Sequence, residues 1–307
     1  MITPEHITSA LQHESLLEPP RYIKYWRAMN DGEIETYLKN TEPENRFIIH
    51  IWGAIEAQGL KPTGADTMMS EVAATVLASR IKDTTGAPII FSDTFRDVAC
   101  TSATEPFTGS LGLEHWKTER SVENTFIAQM WLRLLRNFQQ KGISRHFIVN
   151  GDGGNWQNYW NRPEIEDFRS LGQYVQQEIP GVEFEGCNWD QEGLSFKHAD
   201  QYSHACVQWL TTQAPPLYLN TAWRVGLRPF TPEELQAHNG IAHVSVDPVT
   251  GKRITDWDGV RADKRSHASA EFNLEEFNRF LQGDVAADYE IKMSQLEKAS
   301  RRFYTHS

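Results

Sequence analysis

An α/β domain with a mostly parallel sheet flanked by helices is the fold class this sequence predicts, and two observations predict it. Short β-branched or aromatic runs recur along the chain, each bounded by Gly or Pro, and stretches of helical apolar spacing lie between them. Alternation of that kind needs a crossover between successive strands, which makes the strands parallel and lays the helices over the sheet. The first run is Phe47-Ile48-Ile49-His50-Ile51-Trp52, closed by Gly53. Met69, Val72, Ala73, Val76, Leu77 and Ile81 then recur at helical spacing, and Pro88-Ile89-Ile90-Phe91 follows the breaker Gly86. A second helix is predicted from Phe126, Ile127, Met130, Trp131, Leu134, Leu135 and Phe138, ending near Gly142 before the strand His146-Phe147-Ile148-Val149. A third is predicted from about Glu164 to Gln177, leading through Pro180-Gly181 into a strand at Val182-Glu183-Phe184.

Outside this core the pattern changes. Residues 1–45 carry Pro19-Pro20 and many charges, with one short helical stretch near Ser9 to Leu17, and read as an N-terminal arm or accessory segment. Residues 46–307 read as one domain with insertions: 215–259 is rich in Pro, Asn and Gly, and Leu274, Phe277, Phe280 and Leu281 put a helical face near the end.

Composition narrows the function classes. With 307 residues, 39% hydrophobic and 23% charged, the chain can bury a full core and is not a disordered one. Thirty basic against 41 acidic side chains leave a formal charge of −11, the wrong sign for a phosphate backbone, so nucleic acid is not an expected partner. No window approaches 18 consecutive apolar residues, and the first 15 residues have neither a basic nor an apolar signal region, so the expected setting is cytoplasmic, with no membrane partner. Cys100, Cys187 and Cys206 are too few and too far apart for a disulfide framework or a CxxC metal site.

In a parallel α/β sheet ligands bind beyond the carboxyl ends of the strands, which directs attention to three loops. The first is Gly53-Ala54-Ile55-Glu56-Ala57-Gln58-Gly59 with Gly64-Ala65-Asp66-Thr67 at its end. The second is Asn150-Gly151-Asp152-Gly153-Gly154-Asn155, whose glycines let the backbone approach a ligand; its other reading is a strand-to-helix turn held by Asx hydrogen bonds. The third region runs from Gly186-Cys187-Asn188-Trp189-Asp190 to Lys197-His198-Ala199-Asp200 and His204. Glu56 and Asp66 read as metal ligands, as an acid/base pair or as solvated loop carboxylates; His198 and His204 as inward-facing or packed imidazoles; Cys187 as a buried inert thiol before a nucleophile. Trp156, Trp160 and Trp189 could wall a planar ring.

Together these loops resemble the creatininase family, metal-dependent amidohydrolases that open creatinine and related cyclic amides. The resemblance rests on Gly53–Gly59 with Gly64–Thr67, on Phe107-Thr108-Gly109-Ser110-Leu111-Gly112-Leu113, and on Ile148–Asn155, with weaker matches at His198-Ala199 and Ala268-Ser269-Ala270-Glu271, in the family's order across 46–280. It implies a creatininase-like three-layer sandwich, a small-molecule substrate, a homo-oligomer (the family is often hexameric) and a site for divalent zinc or manganese. Glu56 and Asp66 stand at unchanged metal-ligand positions, while Gln58 and Asp152 each stand where the family has a His, and Ser203 or His204 falls where it has a carboxylate. The implied metal set is therefore Glu56, Asp66, Asp152 and His204, and His198 matches the catalytic His. The expected catalytic residues are His198, Glu56 and Asp152, with Gln58, Asn150, Asn155 and Trp189 binding substrate. The activity so implied is on a C–N bond of a small amide or cyclic amide, by hydrolysis or the reverse cyclisation, with or without metal. The alternative is a homologue that binds a metabolite or builds an assembly without catalysing.

Overall fold

The computed structural model of the chain describes residues 22–54, 65–96, 122–163, 165–188 and 284–304. Among the described residues five parallel strands form one sheet: β1 (Ile23–Tyr25), β2 (Phe47–Trp52), β3 (Ile89–Ser92), β4 (Arg145–Asn150) and β5 (Glu183–Asn188), in the order β1-β3-β2-β4-β5. β2 lies in the middle, paired with β4 from Phe47↔Arg145 to Trp52↔Asn150, and all six of its residues are buried. A strand covered on both faces has no solvent side to alternate with, which is why this run is apolar except for the buried His50.

Side-chain alternation splits the core in two. Phe47, Ile49, Ile51, Ile89, Phe91, Phe147 and Val149 point to one face, where α2 (Ala65–Thr85) packs through Ala73, Leu77 and Ile81 and α6 (Asp284–Ser300) through Met293 and Leu296. Ile48, Trp52, Ile90, Ile148 and Phe184 point to the other, against Tyr37 of α1 (Asp31–Asn40), α3 (Phe126–Gln140) and α5 (Leu171–Glu178). The three-layer α/β/α arrangement is the one expected. β1 and α1 come from the segment before residue 46, so part of it is continuous with the sheet. Residues 9–17, 215–259 and the apolar face at 274–281 lie outside the described residues.

Two local expectations need correction. Phe126 does not join the core but is 58% exposed: the buried line of α3 is Ile127, Trp131, Leu135 and Phe138, and Phe126 is rotated off it at the first helical position. The third helix begins at Leu171, not near Glu164, because Ser170 and Gln173 form a capping box there, each side chain bonding the other's backbone N–H at 3.2 and 2.9 Å. A short helix that periodicity misses, α4 (Gly153–Tyr159), follows β4 directly. Among the described residues no helix is long and apolar enough to cross a membrane.

Candidate functional site

The loop after β2 leads to α2 on one face of the sheet, and the loop after the adjacent β4 leads to α4 and α5 on the other. Loops that leave neighbouring strands in opposite directions open a crevice between them, the place where α/β sheets bind ligands. Gly53 and Ala54 stand at one side of that crevice and Asn150 to Asn155 at the other.

Hydrogen bonds lock the two sides together. Gly151 N–H donates to Trp52 O at 2.9 Å, and the Asn155 side chain, reaching across 102 positions of sequence, donates from Nδ2 to Gly53 O at 3.0 Å. Gly53 N–H donates to Arg96 O at 2.7 Å, and Thr67 Oγ1 at the start of α2 donates to the same carbonyl at 3.0 Å. Ser70 Oγ donates to Trp52 O at 2.9 Å. The start of α2 therefore rests directly on the end of β2; a Cβ at Gly53 would fall 2.4 Å from Thr67 Cα and N.

Asp152 is the N-cap of α4, its Oδ1 accepting from Asn155 N–H at 2.5 Å, and it is buried. Asn150 Nδ2 donates both to Asp152 O at 2.5 Å and to Asn188 Oδ1, at the end of β5, at 2.6 Å. The strand-to-helix turn with Asx hydrogen bonds is thus present, at the carboxyl end of β4 beside the switch point. Replacing Asp152 separates its two readings. Asp152→Asn keeps an equally good cap, so the unfolding free energy from urea titration is expected to stay within about 0.5 kcal/mol of the parent, whereas Asp152→Ala loses about 1 kcal/mol. A turnover loss shared by both variants assigns chemistry to the carboxylate; a loss in Asp152→Ala alone assigns only the cap.

Of the other expected site residues, Glu56, Gln58, Trp189, His198 and His204 lie outside the described residues, and Asp66 lies in α2 with its side chain outside them. Trp156 and Trp160 stack with centroids 5.3 Å apart and an interplanar angle of 10°, and Trp160 also meets Trp52 and Phe184 edge-on and packs, partly buried, against the core. Cys187 packs against the core, its Sγ 3.7 Å from Asn188 O.

The sequence reading missed a buried ionic cluster beside this site. Glu71 of α2, 2% exposed, accepts from Tyr25 Oη at 2.6 Å and lies 3.7 Å from the Arg96 guanidinium, while Asp93, just beyond β3, pairs with Arg27 at 3.0 Å. Burial raises the Glu71 pKa, with Arg96 opposing it, and burial likewise lifts the Tyr25 phenol well above its ordinary value. The signal was available: α2 reads apolar or small almost all round from Val72 to Ala78, so a carboxylate beside that run has nowhere to go but inward. Among the described residues no group of three or more His, Cys, Asp and Glu side chains is placed to hold a metal.

The crevice, its stapled loops and the three layers define an α/β protein with its candidate site at the switch point of a parallel sheet. No protein-family model matches the chain, and no curated protein matches it. Solved structures similar to it include a candidate creatinine amidohydrolase from Bacteroides fragilis NCTC 9343, with 14% identity over 92% of this chain and 97% of that one and a TM-score of 0.47. A creatinine amidohydrolase (creatininase) structure is 13% identical over 89% of this chain and 97% of its own, also at 0.47. A manganese creatininase is 14% identical over 87% and 98%, at 0.44.

Proposed function

We propose that the chain is an enzyme acting on a C–N bond of a small amide or cyclic amide, by hydrolysis or the reverse cyclisation, in the crevice beyond β2 and β4. The observation that carries this reading is the Asn155–Gly53 bond, which joins the family-like loop that begins at Gly53 to the family-like Asn150–Asn155 loop at one place. In this reading His198 moves the proton to or from the reacting nitrogen, oriented by Asp200 or Glu56, while loop backbone amides meet the developing oxyanion; Asn150 and Asn155 spend their side-chain donors on the scaffold and hold that loop in place. Gln58 and Trp189 complete the substrate contacts.

The donor set Glu56, Asp66, Asp152 and His204, three carboxylates and one imidazole, suits a single divalent cation bound through oxygen; an amide at Gln58 supplies no nitrogen ligand. Of these groups, Asp152 brings a buried carboxylate already oriented by its cap bond. A zinc or manganese ion bound there would polarise the substrate carbonyl and lower the pKa of a bound water. His198→Ala is expected to lower turnover of small cyclic amides by about 10²- to 10⁴-fold. An equally active variant rejects the assignment of His198, and a metal-free preparation with undiminished turnover rejects the metal. The reading also carries the family's homo-oligomer, which a monomeric mass in solution would contradict.

A second reading is favoured by the way Asn150, Asp152 and Asn155 each spend hydrogen bonds on the scaffold. It is a homologue that binds its metabolite without turning it over. Specific binding with no product from cyclic amides or their open forms supports it; turnover excludes it.

A further inference from the structure

At the carboxyl ends of β4 and β5 one buried polar atom is left over. Asn150 is 0% exposed, and its Oδ1 has no hydrogen-bond partner among the described residues. The amide cannot turn round to relieve this. Asp152 O, 2.5 Å from Nδ2, is a carbonyl and only accepts, so the atom facing it must be the NH2 end. Asn188 Oδ1 accepts from the same Nδ2 at 2.6 Å and holds the amide from the neighbouring strand. Both donor hydrogens are thus spent inside the protein, and the acceptor is held in one orientation by two independent bonds. An unpaired buried acceptor costs free energy until a donor meets it. It sits on the last residue of β4, at the carboxyl end of the strand that borders the crevice.

We propose that Asn150, locked by Asn188, is a specificity determinant that reads an N–H group of the ligand. The inference rests on the proposed site and names the chemistry its occupant must show: an amide, lactam, urea or amidine nitrogen that still carries hydrogen. Tertiary amides of the same shape have nothing to give Oδ1 and leave it buried and unpaired, a mismatch that polar sites reject strongly. Asn188 acts through Asn150, as a positioning residue, and needs only an acceptor oxygen to do so. Asn188→Asp therefore keeps the lock.

The test uses the full chain and ligand-observed NMR titration with 2-pyrrolidone, hydantoin and urea, each against its N-methylated counterpart, fully methylated in the case of urea. The expected result is binding of the N–H compounds, with affinity lowered at least about tenfold by N-methylation. Asn188→Asp should keep that ratio, and Asn150→Ala should bring it to about one. Equal binding of N–H and N-methyl probes by the parent chain, or binding of none of them, shows that the acceptor serves only an internal water and overturns the inference. The parent comparison alone decides if Asn150→Ala does not fold. Turnover without N–H preference would sink this inference and leave the C–N reaction standing; N–H preference without turnover would do the reverse.

Discussion

Gly53→Ala is expected to be among the most damaging single substitutions in the chain, costing on the order of 3 kcal/mol or more. The new methyl would lie 2.4 Å from Thr67 Cα and N and 2.6 Å from Thr67 Oγ1. Two of these are backbone atoms of a helix, so no flexible side-chain end can swing aside. α2 would have to lift from the end of β2, straining at once the bonds from Ser70 to Trp52 O, from Thr67 to Arg96 O, and from Asn155 to Gly53 O. Stability and the geometry of the candidate site should fall together. Urea unfolding of Gly53→Ala beside Gly86→Ala measures this. Gly86 has φ +64 and nothing within 4 Å of an added Cβ, so its substitution costs only backbone strain, about 1 to 2 kcal/mol. A Gly53→Ala cost no larger than that of Gly86→Ala would contradict the close approach.

The second large effect is a loss of stability in mild acid. His50 and His146 are adjacent on β2 and β4, both buried, with His50 Nε2 3.1 Å from His146 Nδ1 and His146 Nε2 3.3 Å from Ile143 O. The carbonyl only accepts, so His146 carries its proton on Nε2, His146 Nδ1 accepts, and His50 donates from Nε2. Both rings are held neutral by their burial, and the tautomers above are those of the neutral pair. Burial lowers the His146 pKa to about 3, and burial together with the neighbouring imidazole lowers that of His50 well below the ordinary value. In the unfolded chain both titrate near the ordinary value of about 6.5. Below that pH the unfolded state binds more protons than the native one, so stability is whole above about pH 6.5 and is withdrawn as pH falls toward 3. His146 alone accounts for about 2 to 3 kcal/mol by pH 4.5.

Glu71 runs the other way, because its raised pKa makes protonation favour the native state. The imidazole part is isolated by comparing the parent with the His50→Met/His146→Leu chain. Urea midpoints between pH 7.5 and 4.5 should fall steeply in the parent and more gently in the double variant. Equal slopes would mean that the histidines do not carry the effect.

Much of the frame was legible because it is written in local periods. The apolar runs that became β2, β3 and β4 and the stripe that became α3 are repeats of two and 3.6 that need no knowledge of distant neighbours. β1 has only three residues and makes no such pattern; what orders it is pairing with β3, more than 60 positions further on. The start of α5 was misread because apolar spacing persists before Leu171, while the capping box that begins the helix is a matter of two side chains. At the candidate site, the Asn150–Asn155 turn and its cap are local and could be read from Gly and Asx content. The Glu71 cluster was not read, since its partners Tyr25, Asp93 and Arg96 come from two other strands and their ends.

The alternation of β2, β3 and β4 with the helices between them, the burial of β2 and the chemical kinds of side chain after each strand were set by the sequence alone, because they depend on neighbours a few residues apart. Which loops meet was decided only by the tertiary structure. Asn155 finds Gly53 across 102 positions, His146 finds His50 across 96 and Asn188 finds Asn150 across 38, and nothing local distinguishes these partners from others of the same type. The physical reason is that a parallel sheet brings distant segments together through crossovers, and a buried polar group must then pair with whatever that packing sets beside it.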